Sequence, residues 1–463
     1  MTFYGRTKEL NTLRDAINSG KYHCFFVTGR RGMGKTAMLT QLMKGTRAGI
    51  VYFQCLDASA EQNALALEAA PDGLDIFKDH APRTVRAPSI QDLFYLLFQL
   101  YSDNLILMLD DYGNLRKAMP EVDQLLRDAI DHCFGRRKYI IICDEDPELI
   151  DALCGKSGAF RKAASAPVHL QTMDYVDAAL FYPDHLSEEK LRLYAAFGGR
   201  PAFVRLVDPA LSARENIIRQ FIAPDAVTGS IIESLLKDVA NTAYAQSVLY
   251  AVASGKSAFA DILAASHLPS APTLSDTLNG LLRLELIRRD TPINDPDNSK
   301  RSRYTIKDPA VAFWYRYIFI RQGLRYRMSA EDFYDHYIAG DFEHQYLPQI
   351  FTDVCRQYAV RIYGADGAEA ERQIGRYSFY DRHAKKLHEA PVVAMFDGKA
   401  AAYCPVCSTE PLTNREIEAE LGRIKEKVRL YCDWHCFISY AGFADDAPCR
   451  RVQKITVAEL YSV

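Results

Sequence analysis

The chain has 463 residues, 48% of them hydrophobic and 25% charged, which is enough apolar material for two or three cores. Its formal net charge of −3 gives no global attraction to nucleic acid. No apolar run reaches the roughly 18–20 residues that span a bilayer, the N-terminal residues lack a signal-peptide layout, and 11 scattered cysteines suit a reducing compartment. The expectation is a soluble cytoplasmic protein without membrane contact.

The first block, residues 1–225, alternates apolar runs with helical patterns, which predicts an α/β fold with a parallel sheet. Strands are expected at 23–28, 50–54, 105–109 and 138–143, apolar enough to be covered on both faces. The stretch 92–101 reads as a core helix, and another helix ends at Phe197-Gly198-Gly199-Arg200-Pro201.

Directly after the first strand stands Gly29-Arg30-Arg31-Gly32-Met33-Gly34-Lys35-Thr36, a complete G-x-x-x-x-G-K-[ST] phosphate-binding loop, with Ala37 opening the helical pattern behind it. The glycines let successive backbone N–H groups turn toward a β-phosphate. Lys35 supplies a mobile charge for the β- and γ-phosphates, and the Thr36 hydroxyl can ligate Mg²⁺. The run Leu105–Leu109 ends in Asp110-Asp111, a Walker B pattern. Asp110 is the second candidate for the Mg²⁺ shell, and Asp111 stands where the attacking water is polarised. General-base catalysis requires hydrogen-bond reach, and an Asp is one methylene shorter than a Glu. Binding of a nucleoside triphosphate, with ATP and Mg²⁺ as the expected pair, is therefore better founded than turnover by Asp110 and Asp111.

The second block, 226–324, predicts helices at 244–253, 259–266 and 273–284, then short strands at 285–290 and 302–307. Three helices followed by a hairpin is the winged-helix pattern. The exposed candidates of its third helix, Ser275, Asp276, Asn279 and Arg283, contain one acid and one base, a poor phosphate-binding set. Lys300, Arg301 and Arg303 at the hairpin are more basic, but the block as a whole is nearly balanced. The third block, 325–463, starts Tyr-rich and helical and becomes mixed α/β.

Phe3-Tyr-Gly-Arg-x-x-Glu-Leu, the phosphate loop, Gly198-Gly-x-Pro201, Tyr304-x-Ile-Lys-Asp308-Pro309 and Phe313-Trp-Tyr-Arg316 occur in order, and together resemble the archaeal-type P-loop ATPases of the AAA+/STAND group. The resemblance implies an ATPase core with helical lid (1–225), a winged helix (226–324) and a C-terminal PD-(D/E)XK nuclease-like domain (325–463). It also implies a nucleotide contact at Pro201. A Glu usually stands in this family at the place of Asp111, and Gly-Ser at the place of Asp144-Glu145. Arg161 falls near a family arginine that faces a neighbouring subunit's phosphate; a solvated helix-end charge is the competing reading.

A nuclease of that fold clusters acids and a lysine around a metal. Gly340-Asp-Phe342-Glu343-His344 and Ile374-Gly-Arg376-Tyr match its first elements. Glu389-Ala-Pro391 and Tyr403-Cys-Pro405, however, carry proline where the family carries Asp and where its Glu-x-Lys strand should run. The domain is expected to be catalytically inactive. Cys404, Cys407, Cys432, His435 and Cys436 offer ribbon-like zinc spacing, with unligated core thiols as the alternative. The functional expectation is an ATP-binding regulatory switch with slow or partner-dependent hydrolysis. Its partner would be a protein or another copy of the chain, with duplex DNA the less favoured alternative.

Overall fold

A computed structural model describes residues 3–44, 49–69, 89–100, 104–132, 137–237, 239, 241–364, 373–396, 398–445 and 447–462. The chain forms two compact units, Met1–Gln171 and Thr172–Val463. No helix among the described residues is long and apolar enough to cross a membrane.

The first unit is built on a five-stranded sheet, β1 Cys24–Thr28, β2 Gly49–Gln54, β3 Asn104–Asp110, β4 Arg137–Asp144 and β5 Val168–His169, in the order β2-β3-β4-β1-β5. Every neighbouring pair is parallel. The apolar runs of the sequence arise because both faces are covered. Cys24 and Phe26 pack on one side with Phe94, Leu107 and Ile142, while Phe25 and Val27 pack on the other with Met38, Ile106 and Ile141. The four expected strands are present to within a residue at each end, and β5 is an addition too short for a sequence pattern to reveal. The expected core helix is Ile90–Leu100; residue 101 lies outside the described residues.

In the second unit, helices Thr242–Ala253, Phe259–Ser266 and Ala271–Arg283 precede an antiparallel hairpin, β6 Ile287–Asp290 and β7 Arg303–Ile306. Asn241 and Ser270 cap the first and third helices, accepting from the N–H groups of Tyr244 and Thr273. A second five-stranded sheet follows: β8 Ile374–Asp381, β9 Lys386–Phe396, β10 Lys399–Val406, β11 Trp434–Ser439 and β12 Val452–Thr456, in the order β12-β11-β10-β9-β8. The β8-β9-β10 pairs are antiparallel and the β10-β11-β12 pairs parallel. Helix Asn414–Arg423 lies in the connection from β10 to β11.

The sequence groups residues 172–225 with the ATPase core as its lid, and contacts group them with the second unit, Thr172–Val463. The physical reason is a shared core. Helix Ser187–Phe197 buries Leu191, Leu193, Tyr194 and Phe197 in one apolar cluster with Phe313, Phe351 and Val354. The Gly198-Gly199 turn permits the approach: a Cβ on Gly198 would lie 2.8 Å from Pro309 Cδ, and one on Gly199 would lie 1.8 Å from Met173 O. Behind it Arg200 Nε donates to Asp308 Oδ2 at 2.6 Å, with both side chains almost wholly buried.

The prolines of the C-terminal sheet sit where ladder bonds are missing. Pro391 lies opposite the irregularity between Gly375 and Tyr377, and β9 pairs with β10 only as far as Val392↔Tyr403, so Pro405 has no β9 partner.

Candidate nucleotide site

Because the first sheet is parallel, the carboxyl ends of its strands share one edge, where open α/β sheets bind ligands. The loop 29–34 leaves β1 there and runs into helix Lys35–Lys44. Gly32 and Gly34 take left-handed conformations, φ 78° and 84°. Gly29 admits no side chain, since a Cβ would stand 2.9 Å from Leu170 Cβ and 3.0 Å from Leu170 O. Lys35 is folded back over the loop, its Nζ donating to Gly29 O at 2.8 Å. Thr36 and Ala37 are exposed on the helix's first turn.

Strand β3 delivers Asp110, buried to 1% exposure. Its Oδ2 accepts from Thr36 Oγ1 at 2.6 Å and from Tyr52 Oη at 2.8 Å, and its Oδ1 accepts from the Asp111 N–H at 3.2 Å. Burial and the Asp110 charge push the Tyr52 phenol up, so it remains a donor. Asp111 adopts φ 55°, a conformation Asp tolerates better than most residues, and Gln54 Nε2 donates to its Oδ2 at 3.2 Å. Burial first, then the charge of Asp110, raises the Asp111 carboxyl above its ordinary range.

Strand β4 lies between β1 and β3 and ends in two acids with different tasks. Asp144 accepts from the N–H groups of Gly113 at 2.6 Å and Asp146 at 2.9 Å, tying β4 to the segment that follows Asp110-Asp111. Burial raises its carboxyl despite those bonds. Glu145 instead pairs with Arg31, Nη2 to Oε1 at 2.9 Å, and its carbonyl accepts from Arg30 Nη1 at 3.3 Å. Burial alone would raise Glu145, but the bond from Arg31 and the charges of Arg31, Lys35 and Arg30 hold it below the usual carboxylate range.

The structure thus gathers Gly29 to Thr36, Asp110 and Asp111 at one edge. Pro201 belongs to the second unit, where it opens helix Pro201–Val204. Arg161 is exposed in the turn after helix Pro147–Cys154, and donates to Lys156 O at 3.1 Å. Sequence reading missed Tyr52 and Gln54, which stand two residues apart on β2 and therefore point to the same face. The register Gln54↔Asp110 brings them to the acids, but strand adjacency is not written in a single sequence. It also gave no role to Arg6 of the Phe3-Tyr-Gly-Arg motif. Arg6 is 6% exposed, with Nη2 donating to Met33 O at 3.2 Å and to Gln171 O at 2.5 Å, a buried prop beneath the phosphate loop.

Among the described residues no three His, Cys, Asp or Glu side chains form a metal cluster. In the C-terminal sheet Cys404 packs on one face with Ile417 and Phe437, and Cys436 on the other with Tyr403 and Ile438. Burial pushes Cys436 up to about 12 and Cys407 and Cys432 up to about 11, as for thiols packed against apolar neighbours. At the phosphate loop, by contrast, the adjacent Thr36 hydroxyl and Asp110 carboxylate are hard oxygen donors. They suit a small divalent cation that keeps most of its waters.

Residues 2–143 match the family model described as an AAA ATPase domain. An uncharacterized protein of Methanocaldococcus jannaschii is 25% identical over 375 residues, 78% of each chain. The Walker-type ATPase of Pyrococcus abyssi superimposes with a TM-score of 0.52 at 17% identity, covering 68% of this chain and 96% of that one. The matched stretch contains both the phosphate loop and Asp110-Asp111, on the parallel sheet such a domain requires. Within the first unit, residues 2–143 are similar to an AAA ATPase domain, on a parallel α/β fold shared with a Walker-type ATPase.

Proposed function

We propose that this chain is an ATP-binding regulatory protein whose nucleotide state switches its conformation, with hydrolysis that is slow or dependent on a partner. One observation carries the reading: Lys35, Thr36 and Asp110 converge at one sheet edge, while Asp111, the residue that would polarise water, is short and tied to Gln54. The loop N–H groups and Lys35 would hold the phosphates, and Thr36 and Asp110 would hold Mg²⁺, which when bound neutralises charge developing on the transferred phosphoryl group. Asp111 would orient water only after leaving Gln54, and its shorter side chain limits its reach.

The order of β8 to β11 with its crossing helix supports a nuclease-like fold, and two features support its inactivity. Pro391 and Pro405 stand at ligand positions, and Glu343, the acid that remains, accepts from Arg192 Nε at 2.8 Å. Three helices and a hairpin support the winged-helix reading. Equilibrium binding and single-turnover hydrolysis of ATP by the full chain, beside Lys35→Ala, test the proposal. Binding lost in Lys35→Ala with slow wild-type turnover is expected; equal nucleotide retention by both proteins overturns it.

A further inference from the structure

Resting on that reading, we propose that Arg31 and Glu145 form an exchangeable latch through which the site tells a nucleoside triphosphate from a diphosphate. The polar side chains of the loop that can meet an anion are engaged within the protein. Lys35 donates to Gly29 O, Thr36 to Asp110, and Arg30 to Glu145 O. Arg31 is held by a side-chain carboxylate outside the loop and the Walker acids: its Nη2 lies 2.9 Å from Glu145 Oε1 and its Nε 3.4 Å from Oε2, a two-pronged fork.

The exposure of the pair makes exchange feasible. Arg31 and Glu145 are 41% and 30% exposed, so separating them does not strand a buried charge. Arg31 is the third residue of a loop whose N–H groups converge on phosphate, and Glu145 directly follows the end of β4, the strand paired with β1. A γ-phosphate places a group of about two negative charges and three acceptor oxygens at the outer end of the bound chain. It competes with one carboxylate for one guanidinium. A diphosphate lacks that outer group and leaves the latch closed. Glu145 therefore acts as a placeholder for the γ-phosphate, and Arg31 as the positioning residue that reads it. The other charges facing the pair, Lys35 and Arg30 on the loop, favour ionised Glu145, so the latch is formed throughout the neutral range.

The test is an equilibrium titration of the full chain with Mg²⁺ and either ADP or the β,γ-imido analogue of ATP, for wild type, Glu145→Gln, Arg31→Ala and Arg31→Lys. Freeing Arg31 in Glu145→Gln is expected to tighten the triphosphate analogue by about 3- to 10-fold while ADP changes less than about 2-fold. Arg31→Ala is expected to lower the triphosphate-over-diphosphate preference by at least about 5-fold, and Arg31→Lys to retain part of it. Melting curves identify any variant that fails to fold; Glu145→Gln, which conserves shape, then decides the matter. A wild-type preference unchanged in both Glu145→Gln and Arg31→Ala overturns the latch and leaves nucleotide binding standing. Failure of the wild type to bind either nucleotide overturns both.

Discussion

Tyr52 and Thr36 donate to the same oxygen of Asp110, Oδ2, at 2.8 and 2.6 Å at the end of β3. The two bonds differ in what a cation would do to them. Mg²⁺ would take the Thr36 hydroxyl into its shell, whereas Tyr52 can keep holding the carboxylate. Tyr52→Phe is expected to cost about 0.5–1.5 kcal/mol of stability and to weaken Mg²⁺-dependent nucleotide binding more than nucleotide binding in EDTA. Thermal unfolding with titrations in both conditions checks this; an equal effect with and without Mg²⁺ would show that Tyr52 acts on packing alone.

Lengthening Asp111 probes turnover. Asp111→Glu restores the missing methylene and is expected to raise single-turnover hydrolysis by about tenfold or more, within the 10²–10⁴-fold reach of general-base catalysis, with nucleotide affinity nearly unchanged. Adding Gln54→Ala releases the acid and should raise the rate further. A rate no faster than wild type in both variants would assign the slow step elsewhere.

The acid ends of β3 and β4 also give a pH dependence. Burial raises Asp144 in the folded protein above the ordinary carboxylate value of 3.8. The folded state therefore binds the proton more tightly than the unfolded chain. Stability from this group is fully present below the unfolded value and is lost as pH rises through the folded one. Denaturant midpoints of wild type minus Asp144→Asn should fall as pH climbs upward from about 4. A difference that grows over the same window would reverse the sign and show Asp144 to be favoured as a carboxylate.

The buried Arg200–Asp308 pair fastens the Gly198-Gly199 turn to the start of helix Pro309–Phe313, whose Ala310 N–H Asp308 also caps at 3.0 Å. Removing one member leaves the other charge buried. Arg200→Ala is expected to cost about 3–5 kcal/mol, and the double replacement Arg200→Ala/Asp308→Ala appreciably less than Arg200→Ala and Asp308→Ala summed. Urea unfolding of the four proteins checks the cycle.

The phosphate loop and Asp110-Asp111 were legible because each is a contiguous motif at the end of an apolar run, where local sequence and backbone chemistry coincide. Tyr52, Gln54, Asp144 and Glu145 were not, since their meaning depends on β2 and β4 lying beside β3 and β1, a matter of strand order. Arg6 was visible in its motif, but its task is a bond to Met33 O, 27 positions away. The partners of helix Ser187–Phe197 were hidden for a related reason: its apolar face shows that it packs, without showing that it packs on Phe313 and Phe351.

The hairpin's basic side chains look available to a nucleic acid in the sequence, and the structure engages its arginines. Arg301 pairs with Asp295 at 3.1 Å, Arg303 with Glu389 at 2.6 Å and Arg288 with Asp353 at 2.5 Å. Arg376 binds Asp290 at 3.1 Å and also reaches Glu389 and the carbonyl of Arg301. The intervening loop runs along β8, with Ile293 N donating to Arg376 O at 2.8 Å and Asn294 exchanging hydrogen bonds with the Ser378 backbone. A phosphate backbone would have to displace these carboxylates before gaining any counterion-release energy. Neutralising Lys300, Arg301 and Arg303 together is therefore expected to change duplex DNA affinity at physiological salt by less than about twofold, against the roughly tenfold or greater loss that several true phosphate contacts would bring. It should instead lower the melting temperature, because Glu389 then keeps only Arg376. A salt-sensitive gel shift abolished by the triple variant, with unchanged melting, would make the hairpin a DNA contact after all.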